Sequence, residues 1–459
     1  MTNTKILHTS SYKDIDAQVC YVDGTLYREI KPSYFKNYDL LNNSGLYEKL
    51  TEQNLLVKHI ECKELSTTSL FIKPEKVFIS YPWEWSFSQL KDAALLTLDV
   101  LKTSLDYGMI LKDANCYNVQ FYKGKPLFID TTSFEKYEEG MFWSGYLQFC
   151  SNFITPLALM AHTDLNLGKL LLAYPDGLDL TLVTKLLPFK TRFDFGLFLH
   201  IHQHALFQSK FENSHKKINY KYSRFQLLSL IDSLYRCVNK LSIKKQKTQW
   251  DNYYNITNYT DKSFKQKIDI VTDIKNKLLP KTVLDIGANN GYFSRIFSDC
   301  AKQILSTDYD INTVEQNYIK SKQNNETSIC PLVIDITNTS PAIGLNNEER
   351  FSFLQRASKN DVVLALALVH HLAIGKNIPL YKIAEFFSQF GKFLIIEFVN
   401  KDDSQVQKLL INRKDIFVEY SEESFEKAFT SNFKILEKHY LDNSDRLIYL
   451  MENKDHEKF

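Results

Sequence analysis

The sequence predicts two folded parts: an α+β half first, then an α/β half built on a mostly parallel sheet that ends in a β-hairpin. Three observations carry this. At 459 residues the chain exceeds one ordinary core, given roughly 100–200 residues per domain. From about Lys265 onward, short apolar runs alternate with helical patterns, which argues for a parallel sheet with helices on both faces. Between Ala17 and Ser209 a long amphipathic helix is followed by paired strand-like runs. A composition of 44% hydrophobic, 24% charged and 14% aromatic residues belongs to a chain able to bury sizeable cores.

In the second half the alternating segments are Thr282–Ile286, Gly291–Phe297, Gln303–Thr307, Asn312–Lys320, Cys330–Ile334, Asp361–Val369, Leu380–Phe390 and Phe393–Phe398. Two last strand-like runs, Phe433–Tyr440 and Arg446–Met451, are joined by the turn-rich Asp442-Asn443-Ser444-Asp445. They predict the closing hairpin.

The first of these strands is apolar on both faces and runs through Asp285 into Gly287 and Gly291, after which Tyr292–Phe297 has helical character. Glycine removes the side chain that would block a ligand lying on such a turn and tolerates positive φ. A helix start there would offer unpaired amides. About 21 residues past Gly287 the next strand ends in Asp308, where a carboxylate can accept both ribose hydroxyls of an adenosine. The turn does not fit the dehydrogenase G-x-G-x-x-G pattern.

With those residues in place, the segment from about 265 to 455 resembles the class I methyltransferases, a Rossmann-like seven-stranded fold that uses S-adenosylmethionine. The resemblance implies Asp285, Gly287 and Gly291 around the methionine and ribose, Asp308 on the ribose hydroxyls, and Asp335 with Ile336 at the adenine. Asn289 stands where the middle glycine of the common form would be, and Asn tolerates the left-handed region better than most residues. The fourth strand runs into His370-His371, and one of them is the candidate general base, since imidazole titrates near neutrality. A packing role under the cofactor is the alternative for either. Glu397, a strand-end acid at the same edge, is a candidate for substrate contact or a structural hydrogen bond.

In the first half, Phe87, Leu90, Ala94, Leu98, Leu101 and Leu105 recur at helical spacing and stop at Gly108. Asp113 and Asn118 follow, then the runs Val119–Tyr122 and Leu127–Ile129, joined through Lys123-Gly124-Lys125, and Asp130. This stretch resembles the catalytic and metal-binding loop of protein-kinase-like and aminoglycoside-phosphotransferase-like folds. The resemblance implies that Asp113 orients an acceptor hydroxyl, while Asn118 and Asp130 hold magnesium against ATP phosphates. Several features depart from it. Leu111-Lys112 precede Asp113, Thr131-Thr132 follow Asp130, and the hairpin Val19–Ile30 has no glycine-rich phosphate loop. No Val-Ala-x-Lys strand follows, which leaves Arg28 or Lys31 as substitutes. A kinase-like but degenerate domain is therefore expected. Tyr81-Pro82-Trp83-Glu84-Trp85 is either a buried cluster or a hinge.

The expected domains are 1–235 (kinase-like), 236–264 (a basic and aromatic linker) and 265–459 (methyltransferase). Around the linker, Lys216–Lys221 and Lys244–Lys247 are charge runs, read as solvated faces with a nucleic-acid contact as the alternative. Trp250 to Tyr259 either packs on a neighbour or lids a pocket. A net charge of +2 gives no global field toward nucleic acid or membrane. The seven cysteines are scattered without metal or disulfide spacing, and no run approaches a spanning helix. With no secretory apolar core at the amino terminus, a cytoplasmic protein is expected.

The whole chain resembles bacterial two-part proteins grouped with host-specificity nodulation methyltransferases, which implies a saccharide or small-molecule acceptor. The expected function is methyl transfer from S-adenosylmethionine, with the first half positioning the acceptor. Nucleic acid stays open as an acceptor, and the oligomeric state is undetermined. Two rival readings remain: a bifunctional methyltransferase and phosphotransferase using Mg-ATP, and a non-catalytic binding scaffold.

Overall fold

Helix caps and left-handed turns fix the ends of the main elements. The computed structural model describes residues 4–205, 222–243, 261–411 and 414–455. The chain divides into two compact units, Met1–Lys245 with Ile343–Arg350, and Gln246–Ala342 with Phe351–Phe459. The basic and aromatic runs 216–221 and 244–260 lie outside the described residues. Most of what is described of the expected linker is helical: 236–240 end the helix Arg224–Lys240 and 261–264 begin the helix Asp261–Leu278, while 241–243 are extended or irregular. The segment Ile343–Arg350 was not foreseen as part of the first unit.

In the first unit, β1 (Lys5–Leu7), β2 (Ala17–Val22), β3 (Thr25–Ile30), β4 (His59–Cys62) and β5 (Leu70–Pro74) form an antiparallel sheet in the order β1-β2-β3-β5-β4. Asp23 (φ 48°) and Gly24 (φ 76°) make the β2–β3 turn, the positive-φ pair that matches the twist of a hairpin. The predicted helix spans Phe87–Asp106, starts with the Ser86/Gln89 capping box and buries all six of its periodic apolar residues. Beyond it, β6 (Met109–Leu111) pairs with β9 (Phe134–Lys136), and β7 (Val119–Tyr122) pairs with β8 (Lys125–Phe128). Strand β8 starts two residues before the expected run because Lys123 and Gly124 alone make the turn, again at positive φ. The Tyr81–Trp85 cluster is buried inside this unit, with the Trp85 indole donating to Ser80 Oγ at 2.8 Å.

The second unit contains β10 (Thr282–Ile286), β11 (Gln303–Asp308), β12 (Ile329–Val333), β13 (Asn360–Ala365), β14 (Gly391–Val399), β15 (Phe433–Tyr440) and β16 (Arg446–Asn453). Their order is β12-β11-β10-β13-β14-β16-β15. The first five strands are parallel, while β16 pairs antiparallel with both β14 and β15. This is the seven-stranded, mostly parallel sheet closed by a β-hairpin that the sequence predicts. The strands are buried on both faces, as their near-continuous apolar runs require. The order reverses at β10, whose neighbours β11 and β13 lead away in opposite directions, so a crevice opens beyond their carboxyl ends.

Two sequence expectations fail here. Residues 291–297 form a short 3₁₀ turn, Ser294–Phe297, instead of a helix, so the amide-rich helix start is absent at this turn. The fourth strand stops at Ala365, because Ala367 takes φ 52° and turns Leu366–Leu368 out of the sheet.

A charge network ties four segments together inside this unit. Lys267 Nζ, on the helix Asp261–Leu278, lies 2.6 Å from Glu397 on β14. Arg446, at the start of β16, reaches Glu397 at 3.4 Å and Asp403 at 2.8 Å. All four side chains are nearly or fully buried, so each charge depends on its neighbour for the solvation water would have given. Arg446→Met should therefore destabilise the second unit by about 3–5 kcal/mol, because it leaves buried carboxylates uncompensated. Denaturant unfolding measures it, and a change under 1 kcal/mol would show that the network is already neutralised by protonation.

Candidate functional site

A cavity of about 290 Å³ occupies the crevice at the carboxyl ends of β10, β11 and β13. Its lining includes Asp285, Gly287, Ala288 and Asn289 from the first turn, Asp308 and Tyr309 after β11, and Ile334–Thr337 after β12. Leu366–Leu368, His371 and Leu372 come from the β13 turn, and Lys267 from the preceding helix.

Asp285 ends the exposed part of a buried polar chain. Its carboxylate accepts from Ser294 Oγ at 2.6 Å, Ser294 Oγ lies 2.8 Å from Ser306 Oγ, and Asn317 Nδ2 donates to Ser306 Oγ at 2.9 Å. Burial outweighs that hydrogen bond and pushes its carboxyl up to about 7. Asp308 sits opposite. Each of its oxygens takes one backbone amide, Asn289 N at 2.8 Å and Asp310 N at 2.9 Å, and burial raises it to about 6. Asn289 stands at φ 52°, the left-handed conformation its identity allows, so its amide reaches Asp308.

Gly287 (φ 76°) lines the cavity, but Gly291 does not. A Cβ at Gly291 would lie 2.5 Å from the Asn317 side chain, so this glycine makes room for the polar chain behind the turn and does not touch a ligand. Asp335 and Ile336 line the cavity as expected, and Asp335 accepts from Thr337 N and Oγ1 at 2.9 and 2.7 Å.

The two histidines separate. His371 lines the cavity, and burial, aided by Arg446, pulls its pKa down to about 4. His370 is buried behind it with ring centroids 4.1 Å apart, and its Nδ1 has no hydrogen-bond partner among the described residues. His370 does not line the cavity, which favours the packing alternative for it. Glu397 is fully buried on Lys267 and Arg446 and does not line the cavity either, which favours its structural alternative.

Sequence reasoning missed Lys267. It falls three residues after Phe264 and four before Val271, inside the apolar stripe Phe264, Ile268, Val271, Ile274 of its helix. A cation in a buried stripe is the signal that could have found it. Its ammonium lies 4.7 Å from the Phe293 ring centroid, and burial lowers its pKa against the pull of Glu397.

In the first unit, Asp113, Asn118 and Asp130 do come together. Asn118 Nδ2 donates to Ser133 Oγ at 3.2 Å, and Ser133 Oγ donates to Asp130 at 2.7 Å. Burial, with Asp130 nearby, raises Asp113, whose carboxylate accepts from the Asn115 side chain at 2.8 Å. Asp130, however, is ion-paired with Arg28 on β3 and also accepts from Thr132 N at 2.9 Å. Arg28 and these hydroxyls and amides hold Asp130 below the usual carboxylate range despite its burial. Asp130 Oδ1 is thus taken by Arg28 and Thr132 while Oδ2 accepts from Ser133, so a magnesium ion held by Asn118 and Asp130 would have to compete with the Arg28 guanidinium. Among the described residues, no group of three His, Cys, Asp or Glu is arranged to hold a metal.

The nodulation protein NoeA of Rhizobium meliloti (strain 1021) is 34% identical to this chain over 386 residues, 82% of this chain and 80% of the relative. A match of that extent includes residues of both units. No family model matches the chain. Among solved structures, N-methyltransferase NodS from Bradyrhizobium japonicum WM9 is 10% identical, with 42% of this chain and 97% of that one covered and a TM-score of 0.32. The bifunctional kinase-methyltransferase WbdD is 14% identical, covering 42% and 40% with a TM-score of 0.31. At these scores neither bears on the fold, which rests on the strand order itself.

The buried carboxyl of Asp285 gives a testable sign. Its folded value near 7 lies above the unfolded value of about 3.9. Its contribution is therefore fully present below pH ~4 and lost as pH rises through ~7. Asp285→Asn should make the ligand-free protein more stable at pH 8 by on the order of 3 kcal/mol while changing little at pH 4. Unfolding curves across that range read it, and equal pH slopes for both proteins would refute the assignment.

Proposed function

We propose methyl transfer from S-adenosylmethionine, on the premise that the chain belongs to the family of the Rhizobium meliloti nodulation protein NoeA. The observation that carries the proposal is the pairing of Asp285 and Asp308 at the ends of adjacent strands, over a glycine turn at the point where the strand order reverses.

The residues present fit the group. Each Asp308 oxygen has taken one amide and keeps a lone pair, so the carboxylate can accept the two ribose hydroxyls. Asp285 and Lys267, of opposite sign at one end of the cavity, suit the ammonium and carboxylate of a methionine moiety. Ile334, Ile336 and Leu366 offer apolar walls for an adenine, with Asp335 beside them for its amino group. When bound, S-adenosylmethionine supplies an electrophilic methyl on a sulfonium.

His371 is the base in this proposal. Burial and Arg446 keep its imidazole unprotonated near neutrality, so it can accept a proton from a hydroxyl or amine presented at the cavity. His370 packs against the ring, tilted at 38° with centroids 4.1 Å apart. Alignment supplies much of the remaining rate. The acceptor is a saccharide or small molecule met in the cytoplasm, and among the described residues no helix is long and apolar enough to cross a membrane.

For the first unit we propose a kinase-like fold that positions the acceptor without phosphorylating it. Two observations support this: Arg28 occupies Asp130, and the β2–β3 hairpin closes in the two-residue turn Asp23-Gly24 without a glycine-rich phosphate loop. Magnesium ATP should leave the unfolding temperature unmoved.

Calorimetric titration of S-adenosylhomocysteine tests the cofactor assignment. Asp308→Ala should weaken binding by roughly 1.5–3 kcal/mol. Because ribose hydroxyls donate only to the ionised carboxylate, affinity should fall as pH drops through about 6, and Asp308→Asn should flatten that dependence. Unchanged affinity in both variants overturns the proposal.

A further inference from the structure

The segment from Lys185 to Phe198 breaks the rule that large aromatics are covered. Phe189 is 68% exposed, Phe193 80% and Phe195 76%, within seven residues. Their exposure belongs to a well-anchored turn. Residues Phe189–Phe193 form a 3₁₀ turn whose Thr191 is buried, donating to Pro188 O at 2.7 Å and lying 3.0 Å from His202 Nε2. Asp194 then caps the next turn through Leu197 N at 3.1 Å and is ion-paired with Lys240 at 2.6 Å. Thr191 and Asp194 thus fasten the segment from inside while the phenylalanines alternate with them on the outside.

Charge decides what such a surface suits. Lys185, Lys190 and Arg192 are exposed on the same segment, and Arg192 lies over the Phe189 ring at 5.3 Å. Its acid, Asp194, is already neutralised by Lys240. The result is an apolar tip with a cationic surround. Exposed apolar residues grouped this closely mark an interaction site. Cations beside aromatics match a bilayer interface, where rings enter the acyl boundary and Lys and Arg meet anionic headgroups.

We infer that Phe189, Phe193 and Phe195, with Lys185, Lys190 and Arg192, dock the first unit onto an anionic lipid bilayer. No spanning helix is required. The docking places the chain at a membrane surface, independently of how the cavity of the second unit works.

Co-sedimentation of the full chain with vesicles tests this. Wild type should pellet with phosphatidylcholine–phosphatidylglycerol vesicles, stay in solution with phosphatidylcholine alone, and be released by high salt. Replacing the three phenylalanines by serine should cut partitioning by about tenfold or more. K190E with R192E should abolish the preference for anionic vesicles, at roughly fivefold per cation removed. Because all five side chains are exposed, unfolding temperatures should match wild type, which separates lost docking from lost folding. Wild type that ignores both vesicles overturns the inference, as does a triple-serine variant that pellets like wild type. A patch that instead joins two copies of the chain, seen as a concentration-dependent mass that the triple-serine variant loses without any vesicle binding, also overturns it.

Discussion

The ammonium of Lys267 is buried and has to be neutralised by the protein, and much of the second unit is arranged around that requirement. Glu397 faces it from β14, Arg446 faces Glu397 from β16, and Asp403 closes the series from the segment after β14. Signs alternate along the series, so each charge replaces its lost hydration with a partner of opposite sign. Because the partners come from a helix, two strands and a loop, the antiparallel hairpin cannot shift its register without stranding a charge. Among the parallel strands the order leaves a crevice, and this network supplies a rigid, polar floor beside it.

That floor also sets the electrostatics of the cavity. Asp285 lies in a buried site, with Ser294 as its side-chain hydrogen-bond donor, and burial raises its pKa to about 7. Asp308, across the turn, is raised less because backbone amides already partly solvate it. Two carboxyls so placed are poised to ionise fully only when a ligand brings positive charge or donor hydroxyls. The neutral His371 belongs to the same pattern: burial and the nearby Arg446 disfavour an imidazolium there.

The parts of this arrangement legible in the sequence are those that depend on local chain. Asp285, Asp308 and Asp335 were readable because each ends a short apolar run, and strand periodicity places such a residue at the carboxyl edge. The apolar stripe of the helix ending before Gly108 and the hairpin Val19–Ile30 were equally local. What escaped depends on distant partners. Glu397 ends a strand as the others do, yet Lys267, 130 positions away, covers it. Which of His370 and His371 faces the cavity is set by the positive φ of Ala367, and an alanine gives no warning of that. Gly291 looked like a ligand-contacting glycine because the side chain that needs its space, Asn317, sits in a later helix.

The first unit shows the same limit from the other side. Asp113, Asn118 and Asp130 keep a spacing that a phosphotransfer loop would use, and the fold does gather them. Spacing records backbone geometry, however, and the chemistry depends on what else arrives. Arg28 comes from the β2–β3 hairpin, and its guanidinium supplies locally the positive charge that a divalent ion would otherwise bring. Lys112 is likewise spent on Asp16, at 2.7 Å. Arg28 and Lys112, two cations beside this loop, are thus committed to the protein's own carboxylates and not to a triphosphate. Under the proposed function, a loop whose charges are internally satisfied suits a neutral, hydroxyl-rich molecule better than it suits phosphoryl transfer.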